Sequence, residues 1–179
     1  AYGTLDQKFK YSLGLRAFLE KRPHRTMVGM YYKNDNEILG QSQNGFTTDN
    51  ILASVFRITP LRNLTNVKQT YGFFERMWFN GFSTNLSFYN RIMRPLGTFH
   101  YEYYKKPNEI AWKEEITTSE IRLLTRFAYN EKYIDGEFTR VSLSTHYPIL
   151  QVQYTLGIKH LFGSDYNYQK LSVSLDDRI

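Results

Sequence analysis

Residues 9–19 read FKYSLGLRAFL, and their odd and even positions differ in kind. Phe9, Tyr11, Leu13, Leu15, Ala17 and Leu19 are apolar or aromatic, while Lys10, Ser12, Gly14, Arg16 and Phe18 are mostly polar or small. Period-two alternation belongs to a strand with one apolar and one wet face. Length narrows the choice further. A tilted strand needs about 9–11 residues to cross a bilayer, whereas a globular strand averages about 5–6. The pattern recurs down the chain. The expected fold is therefore all-β: an antiparallel transmembrane β-barrel segment, about eight strands of a larger barrel, with one long loop carrying a short helix.

Composition agrees with that reading. The 179 residues suit one domain. Cysteine is absent, which excludes disulfides, thiol nucleophiles and thiolate metal sites. No apolar run reaches the ~18 residues of a transmembrane helix, and mean hydropathy is negative, as strands with one wet face require. Aromatics make up 17% of the chain, which suits strands and the girdles of a membrane barrel. The formal charge of +6 fits a wet face richer in Arg than Glu. The chain starts at Ala1 without a signal peptide and ends in Asp176-Asp177-Arg178-Ile179 without a terminal aromatic. An interior piece of a larger protein is expected, a single barrel segment over residues 1–179.

The strands form a run of hairpins. Residues 8–21 and 25–33 flank a turn at Arg22-Pro23-His24. Residues 34–63 break the alternation and are expected as an external loop or inward plug, with about two helical turns after Thr48-Asp49. Residues 64–79 and 82–94 are joined by Asn80-Gly81, the strongest two-residue hairpin signal. A strict turn places Trp78, Arg76, Phe74 and Gly72 in the lumen, with Gly72 opposite Tyr89, and leaves Glu75 facing lipid. A bulge that shifts the register, or a rim position, would relieve Glu75. Residues 118–133 and 138–147 form a third hairpin, with a three- or five-residue turn and Gly136 left-handed. Residues 149–161 and 166–175 form the last, turning around Gly163-Ser164.

Charges gather on one parity. The candidate lumen-facing residues are Lys10, Arg16, Arg76, Arg91, Glu120, Arg122, Arg126, Arg140, His146 and Lys159. They suit either a basic lumen that attracts anions or a charge ladder that stabilises the inner wall. The four histidines are scattered and lack metal-ligand spacing. His146 stands near serines, yet no G-x-S-x-G elbow accompanies it. No P-loop, dinucleotide fingerprint, zinc finger or RNA-binding motif occurs. No catalytic, cofactor-binding or metal residues, no cofactor and no nucleic-acid partner are expected.

Several fragments carry a family resemblance. They include Tyr31-Tyr32-Lys33-Asn34-Asp35, Asp49-Asn50-Ile51-Leu52-Ala53-Ser54, Phe74-Glu75-Arg76-Met77-Trp78, Tyr147-Pro148-Ile149-Leu150 and Tyr166-Asn167-Tyr168-Gln169-Lys170-Leu171. The chain resembles the interior of a Gram-negative outer-membrane family that pairs a carboxypeptidase-regulatory-like sandwich with a barrel domain of unknown function. That barrel is similar to surface-antigen barrels. The resemblance implies location in the bacterial outer membrane, with outer-membrane lipids and other envelope proteins as partners. It supplies no substrate and no peptidase activity. The expected function is a transport, assembly or surface-interaction role without catalysis. The rival is a soluble lipocalin-like barrel that holds a small apolar ligand, with the odd face of residues 9–19 as its core.

Overall fold

The computed structural model describes residues 9–21, 24–38, 64–79, 81–96, 100–106, 109–136, 140–143 and 146–176. The strands are β1 (Tyr11–Glu20), β2 (Thr26–Ile38), β3 (Leu64–Phe79), β4 (Phe82–Pro95), β5 (Tyr101–Lys106), β6 (Glu109–Lys113), β7 (Ile116–Ala128), β8 (Tyr133–Asp135), β9 (Arg140–Ser142), β10 (Ile149–Gly157) and β11 (Tyr168–Asp176). A short 3-10 turn covers Leu161–Gly163. Seven strands form one sheet in the order β1-β2-β3-β4-β7-β10-β11, and every neighbouring pair is antiparallel. The sheet is an up-and-down meander with β1 and β11 as its edges. Hairpins β5-β6 and β8-β9 stand apart from it, inside the connections that follow β4 and β7.

The chain is all-β, as the alternation requires, and its large sheet has seven strands rather than about eight. The expected strand over residues 138–147 is the one that drops out. The sheet strand β7 ends at Ala128, and its partner is β10, not the segment just after it. The intervening residues form the small β8-β9 hairpin, in which Asp135 faces Arg140. That pairing leaves four residues between the strands, against the three or five expected. The left-handed glycines among the described residues are Gly81 and Gly163.

Residues 34–38 correct the sequence reading in the other direction. Asn34, Asp35 and Asn36 suit a loop by propensity, yet they extend β2 along β3. Asn66 of β3 is 1% exposed and donates from its amide to the Oδ1 atoms of Asn34 and Asn36, each at 3.1 Å. Lys10 donates to the same Asn36 oxygen at 2.8 Å. A cross-strand amide network outweighs strand propensity here. Residues 39–63, with the expected helix and plug, lie outside the described residues.

The β3-β4 hairpin turns at Gly81, whose φ of 88° favours glycine. Its carbonyl also accepts from Ala128 N at 2.7 Å, and a side chain there would strike the Ala128 backbone. Phe79 pairs with Phe82 as the turn predicts, but the register shifts between Met77 and Phe79. Trp78 is the extra residue. One inserted residue flips every side chain beyond it to the other face. Gly72 therefore opposes Phe88 rather than Tyr89, and Glu75 joins the polar face, where Asn85 donates to it at 3.3 Å.

Apolar burial is concentrated toward the strand ends. The buried apolar side chains among the described residues are Met27, Val67, Tyr101, Ala128 and Ile149, all near the top or bottom of the sheet. The middle of one face is apolar and open across all seven strands. Leu15 (75% exposed), Met30, Phe74, Leu86, Leu123, Tyr154 and Leu171 mark it out strand by strand. Among the described residues no helix is long and apolar enough to cross a membrane.

Candidate functional site

The opposite face of the sheet is polar and internally bonded. One row of paired residues crosses all seven strands: Gly14, Tyr31, Tyr71, Tyr89, Glu120, Gly157 and Tyr168, each the Cα partner of the next. The glycines in and beside this row are places where a ring lies against bare backbone. A Cβ on Gly14 would fall 2.1 Å from the Tyr31 ring, and one on Gly157 would fall 2.4 Å from the Tyr168 ring. Gly29, one row lower, is covered by its partner Phe73 in the same way, at 2.3 Å. An aromatic laid over a strand glycine restores contacts that the missing side chain would have made.

The rings continue as tiles. Tyr31 and Tyr71 are 5.9 Å apart between centroids and inclined by 23°, and Tyr71 and Tyr89 are 4.4 Å apart and inclined by 26°. Phe73 stacks beside both Tyr31 and Tyr71. The Arg122 guanidinium closes the strip, 3.9 Å from the Tyr89 ring centre. Arg122 also grips Glu120, from Nε at 2.7 Å and from a terminal nitrogen at 2.5 Å. The Tyr168 hydroxyl donates to the other Glu120 oxygen. Glu120 is 8% exposed, so its charge is held where water is scarce and both its oxygens are bonded.

Two further ion pairs frame this row. At its upper end Arg91 donates to Glu37 at 2.6 Å. At the lower end Arg126 makes a two-pronged contact with Glu131, at 2.6 and 2.8 Å. Glu131 is 2% exposed and also accepts from the hydroxyls of Tyr133 and Ser142, which ties the β8-β9 hairpin to the end of β7. Burial pushes its carboxyl pKa up, but the donors Arg126, Ser142 and Tyr133 outweigh it and hold the pKa down at about 2.

Chemically this face is a charge ladder. Arg91, Arg122 and Arg126, three of the expected basic lumen residues, each hold a carboxylate. The whole chain, residues 1–179, matches the family described as "Family of unknown function (DUF5686) C-terminal domain". The chain belongs to this family. No curated protein and no solved structure matches it.

Within this DUF5686 C-terminal domain the expected site residues separate into groups. Arg16, Arg91, Glu120, Arg122 and Arg126 share the polar face by register. Lys10 stands just before β1. Arg76 is the correction on register: the bulge at Trp78 places it with Phe74 and Leu86 on the apolar face, where its guanidinium lies 4.8 Å from the Trp78 ring. Arg140 lies in β9 and His146 in the exposed stretch before β10, both outside the seven-stranded sheet. Lys159 follows β10, in its connection to β11. Alternation does not continue through the connections in which these three lie. Tyr31, Tyr71 and Tyr168 were given no role in the site, and Tyr89 was expected opposite Gly72 rather than Tyr71. Glycines inside strands were the signal for close approach, and Gly14, Gly29 and Gly157 all carry it.

Proposed function

We propose that this domain is wall segment of a transmembrane β-barrel in the outer membrane of a Gram-negative bacterium. Its role is transport, assembly or surface interaction, without catalysis, and outer-membrane lipids are its first partners. A carboxypeptidase-regulatory-like sandwich elsewhere in the polypeptide belongs to the same reading. The observation that carries it is the open apolar face, which runs unbroken across the sheet and leaves Leu13, Leu15, Leu171 and Leu175 about two-thirds exposed or more. Water penalises such a surface by roughly 25 cal/mol per Å², and a patch of this extent calls for an apolar surrounding.

Two details support lipid rather than a closed apolar core. First, the apolar band runs obliquely to the rows of paired residues. It begins at Tyr11 and Leu13 on β1, while Thr70, Asn90 and Ser119 occupy the Leu13 row on β3, β4 and β7. It ends lower, at Leu175, on β11. Strands tilted in a bilayer produce such a slope. Second, the lower border is aromatic: Trp78, Phe79, Phe127, Tyr129 and Tyr147 are exposed there. Phe79 stacks on Phe82, and Trp78 Nε1 donates to Thr84 at 2.9 Å. Aromatic girdles mark the interfaces of membrane barrels, and Arg76 at this border can reach the headgroups.

The test uses the full-length polypeptide that carries the domain. It should need detergent for extraction and migrate differently on a denaturing gel before and after boiling. Solubility without detergent, with no heat-dependent shift, would sink the proposal and favour the lipocalin-like alternative.

A further inference from the structure

Every strand of the seven-stranded sheet is antiparallel to its neighbours, so direction alternates from β1 to β11. An odd number of strands leaves both edges running the same way. Bringing β1 against β11 would therefore create a parallel pair in an otherwise antiparallel wall. A second copy does not help. Copies inserted with one orientation present edges that all point in the same direction, so any β1 or β11 contact between them is again parallel.

Both edges are long, and their central charges, Arg16 and Lys170, lie on the polar face and leave the apolar band uninterrupted. β1 and β11 carry 10 and 9 residues, and neither contains proline. Their outward residues Leu15 and Leu171 are 75% and 66% exposed, so the apolar band reaches both edges without tapering. A sheet edge that faces lipid has no water to bond its backbone groups.

We propose that an odd number of further antiparallel strands, supplied by the same polypeptide outside residues 1–179, joins β1 to β11 and closes the wall. This rests on the membrane-barrel reading and deepens it. The total becomes even, the number found in single-chain bacterial barrels. The family description points the same way, because a C-terminal domain belongs to a longer chain. The strands that fit have alternating apolar residues in line with Leu13 and Leu15 on one side, and with Leu171 and Val173 on the other.

The chain contains no cysteine, so engineered pairs report cleanly. In the full-length protein, Leu15→Cys with Met30→Cys and Tyr154→Cys with Leu171→Cys are controls across observed partners. Both should form disulfides on mild oxidation. Leu13→Cys or Leu15→Cys combined with Leu171→Cys or Val173→Cys should stay at the background of the single variants. A β1 cysteine should instead be captured by a cysteine scanned through the flanking sequence. Moving the β1 site forward by two residues should then move its partner back by two. A β1-β11 disulfide within one molecule, or between two copies, would overturn the proposal. So would a structure of the unmodified full-length protein with an odd strand total. Absence of a heat-dependent gel shift with intact control disulfides would instead remove the membrane reading itself.

Discussion

The two faces of one sheet are built on different terms. Leu123 and Leu124 are neighbours in β7, yet Leu123 lies in a row with Leu86 and Tyr154, while Leu124 lies between Asn85 and Gln153. The first face meets its surroundings with exposed aliphatic side chains. The second is occupied with its own contacts: rings over glycines, tiled tyrosines and arginines closed on carboxylates. The difference teaches which face depends on a medium. The polar face pairs Arg91, Arg122 and Arg126 with carboxylates of its own, whereas the apolar face leaves its aliphatic side chains to whatever covers them.

The sharpest way to break this comparison is an arginine on each face. Leu123→Arg should cost about 2–4 kcal/mol of folding stability in lipid vesicles, the range for Arg on a barrel's lipid face. Leu124→Arg should cost less than about 1 kcal/mol, as most open polar positions do. Urea titration followed by tryptophan fluorescence measures both, and equal losses would erase the distinction. Next comes the ion pair that anchors the polar face to the β8-β9 hairpin. Glu131→Gln should destabilise by about 3 kcal/mol, because Arg126 loses its charged partner in a buried setting. The same carboxylate sets a pH dependence. Its folded pKa of about 2 lies below the ordinary 4.5, so its contribution is complete above pH 4.5 and disappears as pH falls toward 2. Amide protection factors in β8 and β9, taken relative to the intrinsic exchange rate at each pH, should fall through that acid window in the native protein and not in Glu131→Gln.

Smaller effects sharpen the picture of the tiled row. Gly14→Ala should cost about 1–3 kcal/mol, since the new methyl overlaps the Tyr31 ring. Adding Tyr31→Ala should recover part of that loss, and strictly additive costs would mean the ring does not cover Gly14. Tyr168→Phe should cost about 1.5 kcal/mol, the value of a hydrogen bond to a charged group. Glu120 keeps Arg122, so the row should stay assembled, and near-ultraviolet circular dichroism of the tyrosines checks this.

Much of the strand plan was legible because alternation is a local property. The bounds of β3 were readable to the residue, and the Phe79–Phe82 pairing followed from Asn-Gly. What escaped was non-local. The Glu75 misfit announced a bulge, but Arg76 was still assigned to the wet face because the inserted Trp78 is not marked by its chemistry. Tyr89 was expected opposite Gly72, whereas the glycines that tyrosine rings cover are Gly14 and Gly157. Arg140 and His146 were extrapolated onto a wall strand because residues 138–147 alternate like one, while the strand that pairs with β7 is β10.

By itself the sequence determined the strand-rich fold, the two-faced character of each strand and the sharp turn at Gly81. Those follow from period-two patterning and from the backbone conformations that single residues permit. Only the tertiary structure decided which side chains share a row. Register is cumulative: one bulge inverts the faces beyond it, so Arg76, Glu75 and Tyr89 acquire their neighbours only when the strands are aligned. The Gly14–Tyr168 row and the common direction of β1 and β11 exist only in the assembled sheet, because each requires all seven strands together.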